Sequence, residues 1–178
     1  MADCYLIKQG GRGSGSRPQG GPTIWPLDAY GYPVDDVTID NGITHLRRYI
    51  FSDNKSYNGI NSINFPETLG TIQEYCFNST NFINPINLNQ VNYIEPYCFY
   101  NSSIPNISFD LNSSKNSYTF GHHSFYSCTN LKEYIDMPYN CSNIYLYDWA
   151  FRDTGFLGFN FLNKLNNLYI YGSYTFAN

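Results

Sequence analysis

Apolar residues recur along this chain in a short pattern that repeats about every 25 residues. The pattern reads apolar-x-x-apolar-x-apolar, and its copies begin at residues 34, 60, 83, 104, 131 and 156. The copies are Val34-Val37-Ile39, Ile60-Ile63-Phe65, Ile83-Ile86-Leu88, Ile104-Ile107-Phe109, a weaker Leu131-Tyr134 with Asp136 in third place, and Phe156-Phe159-Phe161. The last two apolar positions are two residues apart, so on a β-strand they share one face. Each copy therefore predicts a short strand with one buried face.

A second pattern lies between these copies and has the same drifting period. A phenylalanine recurs in steps of 26, 22, 26, 26 and 25, at Phe51, Phe77, Phe99, Phe125, Phe151 and Phe176. Five residues earlier stands a large apolar residue: Leu46, Ile72, Ile94, Phe120, Leu146 and Tyr171. The residue just before the phenylalanine is mostly small: Ile50, Cys76, Cys98, Ser124, Ala150 and Thr175. Two patterns with one period indicate an internal repeat.

One such strand cannot bury its apolar face alone, whereas stacked copies form parallel sheets with neighbours about 4.8 Å apart. Each buried Phe, Ile or Leu then contributes roughly 1.5–3 kcal/mol. Asn, Ser and Gly between the patterns suit tight turns. We therefore expect a mainly β solenoid of about six turns over residues 34–178, with the six phenylalanines buried in one column.

The first part of the chain has a different composition. Residues 1–40 contain no asparagine but hold seven of the 14 glycines and four of the nine prolines. Residues 10–21 (GGRGSGSRPQGG) are of low complexity and cannot build a strand ladder. We predict a separate region, 1–33, made of a short extended segment and a Gly/Pro-rich irregular arm. The arm is either an assembly tether or a disordered leader.

Composition argues against several classes of protein. Only 13% of residues are charged and the net charge is −4 without a basic block, so we expect no nucleic-acid partner. No apolar run approaches the roughly 18 residues of a membrane span, and residues 1–8 do not resemble a signal peptide. No catalytic or phosphate-binding motif is present, so we expect no enzyme activity and no cofactor.

Cysteines and histidines give no sign of a metal site. The five cysteines (Cys4, Cys76, Cys98, Cys128 and Cys141) are odd in number and lack C-x-x-C spacing. Cys76 and Cys98 hold equivalent places on neighbouring turns, where a disulfide is one alternative to small core thiols. His122 and His123 are adjacent, so on a strand they point in opposite directions and do not share an ion easily.

The repeat resembles a known family. The combination L-x-x-I-x-I-P … I-x-x-x-A-F-x-x-C is similar to the BspA-type leucine-rich repeat, and residues 60–82 (INSINFPETLGTIQEYCFNSTNF) fit it well. Trp149-Ala150-Phe151 and Phe125-Tyr126-Ser127-Cys128 carry its A-F and F-x-x-C parts. The resemblance spans residues 34–178. It implies adhesion and binding of proteins or glycans, as in surface proteins of bacteria and protists and in phage structural proteins.

A further column stands two residues before each phenylalanine and contains rings only. Its members are Tyr49, Tyr75, Tyr97, His123, Trp149 and Tyr174. If the phenylalanine and the small residue before it point inward, this column faces solvent. Tyr and Trp combine apolar area with a polar tip, which suits sugars and protein epitopes. The alternative is that these rings only stabilise one another by stacking.

Two functions fit these observations. One is a non-enzymatic module for adhesion or receptor recognition on a virion, such as a phage tail, or on a cell surface, with a protein or cell-surface glycan as partner. The other is a structural assembly protein that self-associates or docks through its arm and open solenoid end. The last turn carries Leu165, Leu168, Ile170, Tyr171 and Phe176, so we expect this apolar edge to be covered by another subunit, by the arm, or by further chain.

Overall fold

The computed structural model describes the backbone of residues 4–7 and residues 36–52 and 59–176 in full. Within these ranges the chain forms thirteen short strands and no helix. They are β1 (Cys4–Ile7), β2 (Asp36–Ile39), β3 (His45–Leu46), β4 (Ser62–Asn64), β5 (Thr71–Ile72), β6 (Ile86–Asn87), β7 (Tyr93–Ile94), β8 (Ile107–Ser108), β9 (Ser117–Phe120), β10 (Tyr134–Met137), β11 (Asn143–Leu146), β12 (Gly158–Phe161) and β13 (Asn167–Ile170). No helix in the described part is long and apolar enough to cross a membrane.

From β2 onward the strands alternate between two walls of a solenoid, and every pairing of the described strands is parallel. The wall that follows the first apolar pattern contains the sheets β1-β2-β4, β6-β8 and β10-β12. The opposite wall is one six-stranded sheet in the order β3-β5-β7-β9-β11-β13. The predicted mainly β leucine-rich-repeat solenoid is therefore confirmed. The predicted arm, residues 10–33, lies outside the described residues.

The phenylalanine column forms the centre of the core. The rings of Phe51, Phe77, Phe99, Phe125 and Phe151 are buried, and neighbouring rings stack with centroids 4.9–5.2 Å apart. This spacing matches the distance between hydrogen-bonded strands, so backbone pairing and ring stacking support each other.

Phe176 departs from the prediction of six buried phenylalanines. Its side chain remains 46% exposed. Its ring lies on the last described coil, 6.2 Å from Phe151 and 6.1 Å from Phe156, rather than between two stacked neighbours.

The predicted register of the fifth copy is wrong by one residue. Tyr134 and Asp136 are exposed, whereas Ile135 and Met137 are fully buried and pair with the next coil. One extra residue follows Leu131 in this copy, and a shift of one residue moves a strand's side chains to its other face. The missing third apolar position is thus filled by Met137.

The prediction of burial is also wrong for two other residues, Ile83 and Tyr171. Ile83 is 48% exposed, and Phe82, which bridges to Ile60, is the buried residue of its coil. Ile170 rather than Tyr171 pairs with Leu146, and both side chains are exposed in this last described coil. Repeats of unequal length displace the apolar residue from the position that a fixed spacing assigns.

Buried polar side chains three residues after Phe77, Phe99 and Phe125 join successive coils. Thr80 donates to the carbonyl oxygen of Phe51 (2.6 Å), and Ser102 donates to that of Phe77 (2.5 Å). The thiol of Cys128 lies 2.9 Å from the carbonyl oxygen of Phe99. These side chains satisfy carbonyl groups at the corner where the backbone leaves the sheet. Cys128 is therefore a donor as well as a small core residue.

The four cysteines whose side chains are described, Cys76, Cys98, Cys128 and Cys141, are free thiols and buried. Cys76 and Cys98 occupy the small place before the phenylalanine, as the core interpretation predicts. Burial raises the pKa of both thiols well above the usual range. Buried neutral thiols are unreactive, so these two residues act as small apolar groups.

Candidate binding groove

The aromatic column that precedes the phenylalanines lies in a turn rather than on a strand. Each member has a left-handed backbone with φ between 55° and 61°: Tyr49, Tyr75, Tyr97, His123, Trp149 and Tyr174. This conformation is uncommon for residues other than glycine and costs energy at each place. It turns the side chain out of the core at the same angle in every coil, so the rings align along the solenoid.

The first four rings of this aromatic column form a continuous stack, whereas the Trp149 ring is tilted by 32° on His123 and the Tyr174 ring meets Trp149 edge-on. Tyr49, Tyr75, Tyr97 and His123 follow one another at centroid distances of 5.0, 4.9 and 4.7 Å, with nearly parallel planes. Trp149 lies 5.2 Å beyond His123. Aromatic pairs contribute about 0.5–1.5 kcal/mol each, which offsets part of the backbone cost. The ring faces are covered by one another, and the ring edges are left partly exposed.

A second row of side chains runs beside this column, one residue after each phenylalanine. Its rings are Tyr100 and Tyr126, stacked 5.2 Å apart with planes 6° from parallel. Tyr100 contacts Tyr97 (5.8 Å), and Tyr126 contacts His123 (5.5 Å). The two rows together are a rigid aromatic surface, because every ring has a ring neighbour.

An open groove of about 470 Å³ runs along the two rows, and we call it the aromatic groove. Its lining consists of Tyr75, Asn78, Tyr97, Tyr100, His123, Tyr126 and Trp149. Four of the six predicted site residues line it. The other two, Tyr49 and Tyr174, belong to the aromatic column but lie beyond the two ends of the groove.

Sequence reasoning missed Asn78, Tyr100 and Tyr126. The position after the phenylalanine is Ser52, Asn78, Tyr100, Tyr126 and Arg152 in successive copies, so its residues share no chemical type. The pair Tyr100 and Tyr126 was the available signal, because equal offsets from the repeated phenylalanine place two rings on neighbouring coils.

None of the described residues that line the aromatic groove carries a formal charge at neutral pH. Burial, followed by the charge of His122, lowers the pKa of His123, and its buried Nδ1 has no hydrogen-bond partner. Burial also raises the pKa of Tyr75, so its phenol stays protonated. Charged residues lie just past one end, where the Arg152 guanidinium is 3.9 Å above the Trp149 ring. The groove thus offers ring edges, hydroxyl groups and an amide.

Acidification is expected to destabilise the protein through His123. The unfolded imidazole titrates near its usual pKa of 6.5, and the folded one titrates lower. Below about pH 6.5 the unfolded state therefore binds more protons, so stability falls as the pH drops towards the folded pKa. The groups that face His123 include His122, Asp148 and Arg152, and Asp148 only partly opposes the shift.

His123→Tyr tests this expectation, since tyrosine already occupies the equivalent place in three preceding coils. The midpoint of thermal unfolding is measured at pH 7.5 and pH 5.0. We expect a smaller decrease in the variant than in the wild-type protein. Equal decreases would show that His123 does not contribute to the pH dependence.

The side chains of His122 and His123 have different neighbours. His122 Nδ1 is 3.1 Å from an Asp148 carboxylate oxygen on the outer side, whereas His123 belongs to the aromatic column. Among the described residues no group of three His, Cys, Asp or Glu side chains forms a metal-binding arrangement.

A separate aromatic patch lies on the outer face of the six-stranded sheet. Tyr145 and Tyr169 pair in adjacent strands with rings 4.8 Å apart, and Tyr147 and Tyr171 lie 5.3 Å apart beside them. Tyr169 and Tyr171 are exposed. Sequence reasoning did not single out Tyr145, Tyr147 or Tyr169, and it assigned Tyr171 to the core. Tyr145 and Tyr147 alternate with the buried Ile144 and Leu146.

The comparisons with known proteins agree with this architecture. The model of the BspA-type leucine-rich repeat region matches residues 56–178 with six copies. No curated protein and no solved structure gives a significant match to the chain. Repeats of this type are typically non-enzymatic modules for protein binding or adhesion. A solenoid of stacked coils and a repeat match over most of its length show that the chain belongs to the BspA-type leucine-rich repeat family.

Proposed function

We propose that this protein is an adhesive module that recognises a receptor on a cell surface, and that the aromatic groove holds the ligand. In this proposal the module is displayed on the outside of a cell or a virion. The observation that carries it is a preformed groove of about 470 Å³ lined by stacked rings. Groove volumes of roughly 300–1,000 Å³ are typical of ligand sites.

The rigidity of the groove favours binding. A ring held between two stacked neighbours has already lost its rotational freedom, so little entropy remains to be lost when a ligand binds. Tyr and Trp also supply large contact areas with polar tips, as in antibody combining sites. Because the lining is uncharged, we expect an affinity that changes little with salt concentration.

The test replaces Tyr97 and Trp149 together by asparagine. Asparagine tolerates a left-handed backbone better than alanine, so the turn is preserved while two rings are removed. The fluorescently labelled 178-residue chain is applied to arrays of cell-surface glycans and cell-surface proteins. We expect the wild-type chain to bind a member of one array and the double variant to bind it at least tenfold more weakly.

The control is the double variant Tyr145→Asn and Tyr169→Asn, which removes two stacked rings from the outer sheet face. It is expected to bind like the wild type. If the groove variant keeps its affinity while both variants stay folded by circular dichroism, the aromatic groove is not the site.

An assembly role is a second candidate, and the exposed last coil favours it. Leu168, Ile170 and Phe176 are each about half exposed, and β12 and β13 are the last described strands of their sheets. A chain that binds neither array but sediments as a concentration-dependent oligomer would favour assembly over adhesion.

A further inference from the structure

We propose that the aromatic groove contains a subsite for one uncharged pyranose unit of a glycan, between Asn78 and the ring face of Tyr100. The inference rests on the proposed function and names the class of ligand. It follows from a break in the second row of the groove, where a ring is replaced by an amide.

The second row of the groove is interrupted at one of its equivalent positions in successive coils. Tyr126 stacks on Tyr100, and the equivalent place one coil earlier holds Asn78. In the described residues, the rings that contact Tyr100 are Tyr97 at its side and Tyr126 on one face. Adjacent coils are spaced so that stacked rings lie about 5 Å apart, as Tyr75 and Tyr97 do at 4.9 Å. The row of rings therefore ends at Tyr100, and the groove extends past it to Asn78.

The chemistry of this recess matches a sugar ring. A pyranose has a face of C–H groups and a rim of hydroxyl groups. The electron-rich face of Tyr100 suits the C–H groups. The Asn78 amide both donates and accepts hydrogen bonds, and the protonated Tyr75 phenol adds a further donor and acceptor.

The uncharged described lining of the groove favours a neutral sugar over an acidic one. A uronic or sialic acid would bring a carboxylate into a site whose lining, among the described residues, contains no Lys or Arg. Moving such a carboxylate out of water costs free energy that no partner in the lining offsets. The subsite therefore favours a neutral hexose or N-acetylhexosamine.

A peptide fits the recess less well because the nearby backbone is already paired. The amide of Ser79 donates to the carbonyl of Tyr100 (2.8 Å), and the amide of Asn101 donates to that of Tyr126 (2.7 Å). The amides of Phe77 and Phe99 also donate to the next coil. These groups offer no free edge for an added strand, which is the usual way in which an extended peptide binds a sheet.

The remaining length of the groove suits a short oligosaccharide rather than a single sugar. Beyond Tyr100 the lining continues along Tyr126, His123 and Trp149. Hydroxyl groups, a neutral imidazole and an indole N–H are available there for hydrogen bonds with the next sugar units. The first unit sits in the recess and the following units run along the ring edges.

The experiment fills the recess with a ring. Asn78→Tyr extends the row of Tyr100 and Tyr126 by one stacked tyrosine, so we expect a folded protein of unchanged or higher stability. The control Asn112→Tyr adds the same ring at an exposed position away from the groove lining. The full chain and its variants are titrated by calorimetry with cellohexaose, mannohexaose and chitohexaose as neutral probes, and with hyaluronan hexamer as the acidic probe.

We expect the wild type and Asn112→Tyr to bind one neutral probe, and Asn78→Tyr to bind it at least tenfold more weakly. Equal affinity of Asn78→Tyr would overturn the subsite, as would preference for the acidic probe or no binding of any probe. The proposed function would survive those results if the Tyr97→Asn and Trp149→Asn double variant still lost a protein or glycan found on the arrays. If the array test and the calorimetry both fail, the proposed function and the subsite are both overturned.

Discussion

Replacement of Phe99 by alanine is expected to lower the free energy of unfolding by about 3–5 kcal/mol. Its ring is fully buried and stacked between Phe77 (5.1 Å) and Phe125 (4.9 Å) in the middle of the solenoid. The coils on either side are joined by backbone hydrogen bonds, including that from the Phe99 amide to Ser124 (2.8 Å). The walls therefore cannot move together to close the cavity, and most of the cost remains.

Phe176→Ala is the matched control for Phe99→Ala. The same side chain is removed, but Phe176 is 46% exposed and has no close stacked neighbour. We expect a loss of about 1 kcal/mol or less. Both values come from urea denaturation of the 178-residue chain. Similar losses in the two variants would show that stacking inside the column does not determine stability.

The architecture was predictable because it depends on a period rather than on single residues. Phe51, Phe77, Phe99, Phe125 and Phe151 recur at nearly constant spacing, and five of the six predicted rings are buried. Parallel stacking follows from such a repeat, because each coil buries its apolar face only against the next.

The register within single coils was harder to predict. In the fifth copy the first buried strand residue, Ile135, stands four residues after Leu131 instead of the three that the pattern assumes, so Ile135 and Met137 replace Tyr134 and Asp136 in the core. Ile135 and Met137 are the more apolar pair, but the fixed spacing from Leu131 assigned Tyr134 and Asp136 to the core, and the pairing of Ile135 and Met137 with Phe159 and Phe161 establishes the register. That pairing depends on the neighbouring coil, so it cannot be read from the sequence of the fifth copy alone.

The candidate site was predicted in part for a related reason. The aromatic column was visible because every member has a ring, whereas its left-handed turn was not, since bulky residues rarely adopt that backbone. The turn repeats in every coil, and there the amides of Tyr97 and His123 donate to the following coil (2.9 Å each). Hydrogen bonding and stacking together hold a conformation that a single coil would not adopt.

The stacking and the proposed ligand site use different parts of the same rings. The faces of Tyr75, Tyr97 and His123 stack on one another, and their edges line the groove. Stacking as a stabilising role, the alternative considered for the aromatic column, is therefore compatible with ligand binding. A ligand that contacts edges and hydroxyl groups leaves the stacked faces undisturbed.

Gly121→Ala is expected to cost about 1–3 kcal/mol, because the coils approach each other too closely for a methyl group there. A Cβ atom at this position would lie 2.7 Å from the Pro96 nitrogen, 2.9 Å from the Glu95 carbonyl carbon and 2.9 Å from the Ile94 oxygen. These are backbone atoms of the preceding coil, so no side chain can move aside. The coil itself must shift, which stretches the bond from the Gly121 amide to Ile94 (2.8 Å).

Gly70→Ala is the matched control for Gly121→Ala, because the same methyl group is added in the same sheet wall. There the nearest atom to the new Cβ would be Asn92 Oδ1, at an ordinary contact distance of 3.7 Å. Alanine restricts the unfolded chain more than glycine, so this variant is expected to be neutral or more stable by about 0.4–1 kcal/mol. Urea denaturation gives both free energies, and hydrogen exchange of the Gly121 and Tyr147 amides shows whether the coil contact has loosened. Loss of equal size in both variants would mean that the glycines matter through backbone entropy and not through the close approach of the coils.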